Sequence, residues 1–436
     1  MTIDNIFAEG NSSIIGYAQA DFKTLIADKN LYIDRTAYIW AIENHSNRNL
    51  LFVRPRRFGK SLWISILTYY YGVQYKDLFD TLFGHLAIGQ KPTPLRNSYL
   101  ILKFQFAGID VETDEAILDG FRRNVLTGIL NCMSAYSDYF TEEEGAEVMN
   151  LEAPANMIQW FLSLYERKNI PYKLYIMIDE YDQFANELVG LDTERFNAIV
   201  GRSGFVRKYY EMIKNAANTG IVSRFFATGV SPLTVDALTS GFNITSNLAL
   251  DLTFHDLMGF KEAEVVHILR QVGASDADMP TLLADLKAWY DGYFFHHKAT
   301  EALYNSDMIM YFASHYEHKK QYPDTMLDAN IATDYHKVKK IFNIQQREEE
   351  FIPTLKQLTE TGILSAQITY FFNLEKRFSK DDLISILFYM GWITIKDMTD
   401  GRYNFQMPNL VIKELYYNYF VDIAERELGS RLNENI

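Results

Sequence analysis

Two short segments hold residue types suited to phosphate chemistry. The first is Leu51-Phe52-Val53-Arg54-Pro55-Arg56-Arg57-Phe58-Gly59-Lys60-Ser61. An apolar run, a basic turn and the start of an amphipathic stretch are what a P-loop needs. Such a loop wraps backbone N–H groups around an anion that faces a helix N-terminus. Gly59 allows close backbone approach, Lys60 reaches the β- and γ-phosphates, and the Ser61 hydroxyl can ligate Mg²⁺. The usual G-x-x-x-x-G-K-[ST] pattern starts with glycine at position 54; this chain has Arg54 there, and Pro55 removes an N–H donor.

The second segment, Leu174-Tyr175-Ile176-Met177-Ile178-Asp179-Glu180, is an apolar strand ending in two carboxylates. Asp179 is placed to support Mg²⁺ and Glu180 to polarise an attacking water. With the P-loop upstream, the pair predicts ATP binding. A third run, Arg224-Phe225-Phe226-Ala227-Thr228-Gly229, ends in a hydroxyl that either meets the γ-phosphate or caps the turn before Gly229. Arg56 and Arg57 can face phosphate, DNA or an acidic surface, or pair with Asp34 or Asp182. Arg202, Arg207 and Arg224 are unranked candidates for an arginine finger.

Positioning these groups requires alternating strands and helices. Leu50 to Val53, Tyr99 to Phe106, Leu174 to Ile178 and Arg224 to Thr228 read as strands, with Leu248 to Leu252 as a fifth candidate. Lys60 to Tyr71, Val125 to Tyr136 and Phe205 to Ala217 read as helices. The alternation predicts an α/β fold with a mostly parallel sheet covered on both faces. Beyond Gly259, Lys261 to Arg270 and Thr281 to Trp289 continue the chain as helices. Lys380 to Met390, then two strands flanking Thr399-Asp400-Gly401, is a helix followed by a hairpin, the pattern of a winged-helix-like module. The tail, 425–436, reads as a frayed helix or linker.

Composition narrows the function classes. At 436 residues the chain exceeds one core. A net charge of −14 opposes a protein that coats nucleic acid with its whole surface, leaving only a local basic patch at Arg54, Arg56, Arg57 and Lys60. Cys132 is the sole cysteine, which excludes an internal disulfide. No apolar run approaches the roughly 20 residues of a membrane span, and the N-terminus lacks signal-peptide features; a cytoplasmic protein is expected. Neither Gly-x-Ser-x-Gly nor His-Glu-x-x-His occurs, and the adjacent His296-His297 cannot easily converge on one metal.

The chain resembles the bacterial predicted AAA-ATPase family of the AAA-ATPase-like type. The resemblance rests on Tyr32-Ile33-Asp34-Arg35-Thr36, the Arg54 to Leu62 segment and Ile178-Asp179-Glu180-Tyr181-Asp182. Further along it rests on Thr228-Gly229-Val230-Ser231, Gly259-Phe260, Trp289-Tyr290-Asp291-Gly292-Tyr293, Met390-Gly391-Trp392-Ile393-Thr394 and Met407-Pro408-Asn409. It covers about residues 20 to 420 and makes Arg54 this family's own form of the loop. The resemblance implies a P-loop core of the AAA/ASCE kind over 21–256, behind an N-terminal segment, 1–20. A helical lid over 257–375, a winged-helix-like module over 376–424 and a tail over 425–436 follow. The implied phosphate-binding set is Arg56, Arg57, Phe58, Gly59, Lys60, Ser61 and Leu62, with Tyr32 and Asp34 near the base. Ser61 and Asp179 are the metal residues, Glu180 and Thr228 the catalytic ones, and ATP with Mg²⁺ the cofactors.

Two places depart from the family pattern. Gln183-Phe184 stand where a proline usually follows Asp182, and Ser306-Asp307 stand where Pro-Trp usually follows Tyr304-Asn305. Members often carry a PD-(D/E)XK nuclease-like domain behind the ATPase, and no such signature occurs here, so a truncated or nuclease-less relative is expected. The expected function is a Mg²⁺-dependent ATPase whose nucleotide state moves the C-terminal domains, with a protein partner or homo-oligomer and no membrane. The alternatives are a low-turnover nucleotide-gated switch and a DNA-processing or defence component working with a nuclease-like domain.

Overall fold

The computed structural model describes residues 15–189, 193–201, 204–233, 244–328, 348–372 and 378–433. Its central sheet is built from β1 (Asn49–Val53), β2 (Tyr99–Gln105), β3 (Lys173–Asp179), β4 (Val222–Gly229) and β5 (Ser246–Asn247). The order is β2-β3-β4-β1-β5, and every pairing is parallel. Leu50 to Val53 and Leu174 to Ile178 are buried throughout, which is why both read as unbroken apolar runs.

Alternation along the strands serves two helical layers. On one face Tyr99 and Tyr175 stack edgewise or tilted with Tyr71 of the helix Lys60–Tyr71. On the other, Phe104 packs on Tyr209 of the helix Phe205–Thr219, and Phe106 stacks on Phe121 of the helix Asp114–Ala135. Because β4 lies between β1 and β3, Val53 pairs with Gly229 while Ala227 pairs with Ile178. The register therefore sets the P-loop and the Asp179-Glu180 turn at the same sheet edge.

Some expected elements shift. The helix expected at Val125 begins at Asp114, because the Thr113 hydroxyl caps Ala116 N. The fifth strand is Ser246–Asn247 rather than Leu248 to Leu252. There the Asp251 side chain accepts from Thr253 N and starts a 3₁₀ turn over Leu252–Phe254, a local bond that competes with strand pairing. The tail continues the helix Leu410–Asn433, and residues 434–436 lie outside the described residues, as do 1–14 of the expected N-terminal segment and 329–347 of the expected lid.

After Gly259 come the helices Glu262–Gln271, Met279–Tyr290, Ser306–Lys319 and Glu348–Thr361. Then β6 (Leu364–Ala366), β7 (Thr394–Thr399) and β8 (Arg402–Gln406) form a separate antiparallel sheet, ordered β6-β8-β7, with the helix Lys380–Tyr389 between β6 and β7. Only the hairpin was anticipated; three residues of β6 give too short a pattern to register.

The two halves meet through buried polar and aromatic contacts. Arg35 Nη2 donates to Glu264 Oε2 at 2.7 Å and to Gly259 O at 2.7 Å, with both ionic side chains almost wholly buried. Phe58 of the P-loop lies edge-on to Tyr293 and Phe295. A Cβ on Gly391 would come within 2.8 Å of Pro55 Cβ, so the second residue after the helix Lys380–Tyr389 rests directly on the loop.

Breaking a buried pair strands a charge without water. Arg35→Ala is expected to lower unfolding free energy by about 3–5 kcal/mol in urea titration. A paired Arg35→Met/Glu264→Met replacement should lose clearly less; equal losses would mean that the ion pair is not the cause.

Candidate nucleotide-binding site

At the C-terminal edge of the central sheet lies a cavity of about 500 Å³. The P-loop residues Arg56 to Leu62 form one wall, Glu180, Asp182 and Gln183 a second, and Leu31 to Ile33 with Arg35 a third. Leu257 to Phe260 and the residues Ser306, Asp307 and Met310 close it from the C-terminal half.

The loop departs from ideal P-loop chemistry at its first position, and the structure shows how that is absorbed. Arg54 does not face the cavity. Its guanidinium is buried, with Nη1 donating to Val53 O at 3.1 Å and Ala249 O at 2.7 Å, and Nη2 to Phe254 O at 2.9 Å and His255 O at 3.3 Å. It lies over the rings of Phe52 and Phe295, 4.4 and 4.0 Å from their centroids. Burial pulls its pKa down to about 9. The surface patch expected of Arg54, Arg56, Arg57 and Lys60 is therefore not a patch: Arg54 and Lys60 are buried.

Gly59 has φ +92 with nothing within 4 Å of a built Cβ, so its need is conformational and not steric. The Lys60 ammonium donates to Arg54 O at 3.0 Å and Pro55 O at 2.8 Å. Burial lowers its pKa to about 8, opposed by the charges of Glu180, Asp182 and Asp179. Asp179 is buried behind Ser61; desolvation raises its pKa, countered by hydrogen bonding from Ser61 and by Lys60. Its Oδ1 has no hydrogen-bond partner among the described residues. Glu180 is raised by desolvation and then by Asp179, and it sits at φ +51, a sparsely populated conformation that costs of order 1 kcal/mol.

Asp182 organises the neighbouring turn. Its carboxylate accepts from Val230 N at 3.1 Å and from Ser231 N at 2.7 Å, and a Cβ on Gly229 would fall 2.1 Å from its Oδ1. That contact accounts for the glycine after Thr228.

Two expected site residues stand elsewhere than on the cavity wall. The Thr228 hydroxyl is buried and donates to Phe52 O at 2.8 Å across the β1–β4 pair, and Thr228 is not among the residues that line the cavity. Asp34 also lies outside the walls; its carboxylate accepts from Thr36 N and Ala87 N, each at 2.7 Å, and braces the loop. Tyr32, by contrast, lines the cavity, with burial raising its hydroxyl pKa. The pairing of Arg57 is with Asp307, not Asp34 or Asp182. Among the finger candidates, Arg224 is buried and donates to Glu43 O, Arg207 pairs with Glu211 on its own helix, and Arg202 lies outside the described residues.

Ser306, Asp307, Gln183 and Arg35 reach the site without a role having been read for them. Ser306 and Asp307 lie too far along the chain from the P-loop to leave a local signal, although they and Gln183 stand out as departures from the family pattern; Arg35 belongs to the Tyr32 to Thr36 motif, which gives no direction for its side chain. Among the described residues no group of three or more His, Cys, Asp or Glu has metal-holding geometry, and no helix is long and apolar enough to cross a membrane. A Mg²⁺ carried by nucleotide phosphates needs only one or two protein ligands, and the unpartnered Asp179 Oδ1 beside Ser61 fits that requirement.

The parallel sheet, the loop and the carboxylate-tipped strand one place removed from it are those of a P-loop ATPase fold. Residues 16–239 match the family described as Predicted AAA-ATPase, and the chain belongs to it. It is 24% identical over 398 residues to an uncharacterised protein in the vnfD 5′ region of Azotobacter chroococcum mcd 1, covering 88% of this chain and 65% of that relative's length. A Walker-type ATPase of Pyrococcus abyssi is a structural neighbour at 11% identity and TM-score 0.47, covering 88% of this chain and 94% of that one.

The raised Asp179 pKa has a stability consequence. A carboxyl whose folded pKa exceeds its unfolded value costs stability once pH rises above the ordinary carboxylate range. Asp179→Asn is expected to melt higher than the wild type at pH 7.5 without nucleotide, with the gap closing as pH falls toward 4. Identical melting curves at both pH values would remove the buried charge as a cost.

Proposed function

We propose that the protein is a Mg²⁺-dependent ATPase in which the nucleotide state is transmitted to the C-terminal half. The observation that carries this is the convergence of Lys60, Ser61, Arg56 and Glu180 on one cavity, with Oδ1 of Asp179 left without a partner behind Ser61. ATP enters with its phosphates on the loop and its base between the 31–33 segment, Tyr32 included, and Leu257 to Phe260. Lys60 leaves the carbonyls of Arg54 and Pro55 for phosphate oxygens. Ser61 and Asp179 would hold Mg²⁺, which when bound would neutralise charge on the phosphates. Glu180 orients the attacking water and accepts its proton.

The C-terminal half is the natural recipient of the signal, since Phe58, Pro55 and Arg54 of the loop all pack on it. Residues 257–375 then act as a lid and 376–424 as a winged-helix-like module. That module is read as a transducer, not a DNA reader. Its helix Lys380–Tyr389 is buried from Leu383 onward, against Phe295, Phe372 and Phe405 among others, and so offers no face to a groove. The displaced Thr228 hydroxyl favours a second reading, a switch that binds ATP and turns over slowly.

Two measurements test this. ATP with Mg²⁺ at 100 times its dissociation constant should add about 2.7 kcal/mol of stability to the wild type and little to Lys60→Ala. Glu180→Gln should retain that stabilisation while phosphate release falls at least about 100-fold; hydrolysis at wild-type rates in both variants would refute the assignment.

Lys60 also predicts proton linkage. Its ammonium is disfavoured in the free protein, with a pKa of about 8, and incoming phosphates favour it, so its pKa rises on binding. Near pH 8 binding should take up a proton, visible as calorimetric heats that depend on buffer ionisation enthalpy, and affinity should fall as pH rises above 8. Buffer-independent heats would exclude it.

A further inference from the structure

We propose that Asp307 sets the preference of the site for a nucleoside triphosphate over a diphosphate by competing with the terminal phosphate for Arg57. This rests on the nucleotide-binding reading above and adds to it a specificity-determining pair.

The geometry is a clamp on the loop from outside. Asn305, Ser306 and Asp307 open the helix Ser306–Lys319. Asn305 Nδ2 donates to Arg56 O at 3.4 Å, and Ser306 Oγ and Asp307 N each donate to Arg57 O at 3.3 Å. Arg57 is held at φ +67, a conformation that a residue with a side chain rarely adopts. Its carbonyl thus faces the C-terminal half, while its guanidinium lies 3.5 Å, Nη1 to Oδ2, from the Asp307 carboxylate. Both side chains are largely shielded, at 29% and 14% exposure, and both residues line the cavity.

A carboxylate in the wall of an anion site is anomalous unless something uses it. It repels phosphate and attracts the same guanidinium that a phosphate would take. Arginine's planar fork suits a phosphate at least as well as a carboxylate, so the ligand with more charge at that end wins the exchange. A triphosphate supplies that end and a diphosphate does not, so with a diphosphate the Arg57–Asp307 pair stays closed. Lys60 cannot make this distinction alone, because a lysine at this place in the loop reaches the β-phosphate that both nucleotides carry. Exchange at Arg57 also loosens the first turn of the helix Ser306–Lys319 from the loop, which gives the C-terminal half a contact that differs between the two nucleotide states.

Asp307→Asn removes the charge and keeps the backbone N–H that holds Arg57 O. Binding of a fluorescent non-hydrolysable ATP analogue and of fluorescent ADP, both with Mg²⁺, is measured on the wild type, on Asp307→Asn and on Arg57→Gln. Asp307→Asn should tighten the triphosphate about fivefold and the diphosphate less than about twofold. Arg57→Gln should weaken the triphosphate preferentially, lowering the triphosphate-to-diphosphate ratio. Either variant alone suffices if the other fails to fold, as judged by its melting curve. If the wild type binds both nucleotides and neither variant shifts the ratio, Asp307 only shapes the loop and the proposal falls while nucleotide binding stands. If the wild type binds neither, the nucleotide reading itself falls.

Discussion

A guanidinium removed from water must find oxygen acceptors, and Arg54 finds four backbone carbonyls: Val53, Ala249, Phe254 and His255. That single constraint joins the end of β1 to the 249–255 segment, and the stacking of Phe295 on the same group brings in the C-terminal half. A loop without its first glycine is thereby fixed from outside. Pro55 is pressed by Gly391, Phe58 is enclosed by Tyr293 and Phe295, and the carbonyls of Arg56 and Arg57 are held by Asn305 to Asp307. The P-loop of this protein is a contact between the two halves of the chain as much as a loop.

The charges around the cavity are arranged at a cost. Lys60 is depressed, while Asp179 and Glu180 are raised, each chiefly by burial. All three are ionised most comfortably when opposite charge arrives, which is the condition that a metal-bound polyphosphate supplies. Glu180 adds backbone strain at φ +51, held by the sheet edge on which it sits. Sites of this kind store instability that binding relieves.

Neighbouring polar residues that share a motif with these do different work. Asp34 and Asp182 are both buried carboxylates that accept from backbone N–H groups, and each fixes a turn. Arg35 spends its charge on Glu264 and Gly259 O. Motif membership marked all three, and only their hydrogen bonds reveal that they position the walls.

Local pattern determined the P-loop strand and helix, the buried strand ending at Asp179, the α/β class and the closing hairpin, because apolar periodicity and glycine conformations act within a few residues. Gly59, Lys60, Ser61 and Glu180 were legible for the same reason: each belongs to a contiguous segment whose backbone geometry defines its direction. The direction of Thr228 was not legible, since one hydroxyl can serve a ligand or the adjacent strand, and the parallel β1–β4 register gave it Phe52 O. Nor was the burial of Arg54, the bracing role of Asp34, or the arrival of Asp307 beside Arg57 from 250 positions away. Those were decided by packing between the two halves, where desolvation forces every buried charge to take the partner that the tertiary fold brings to it.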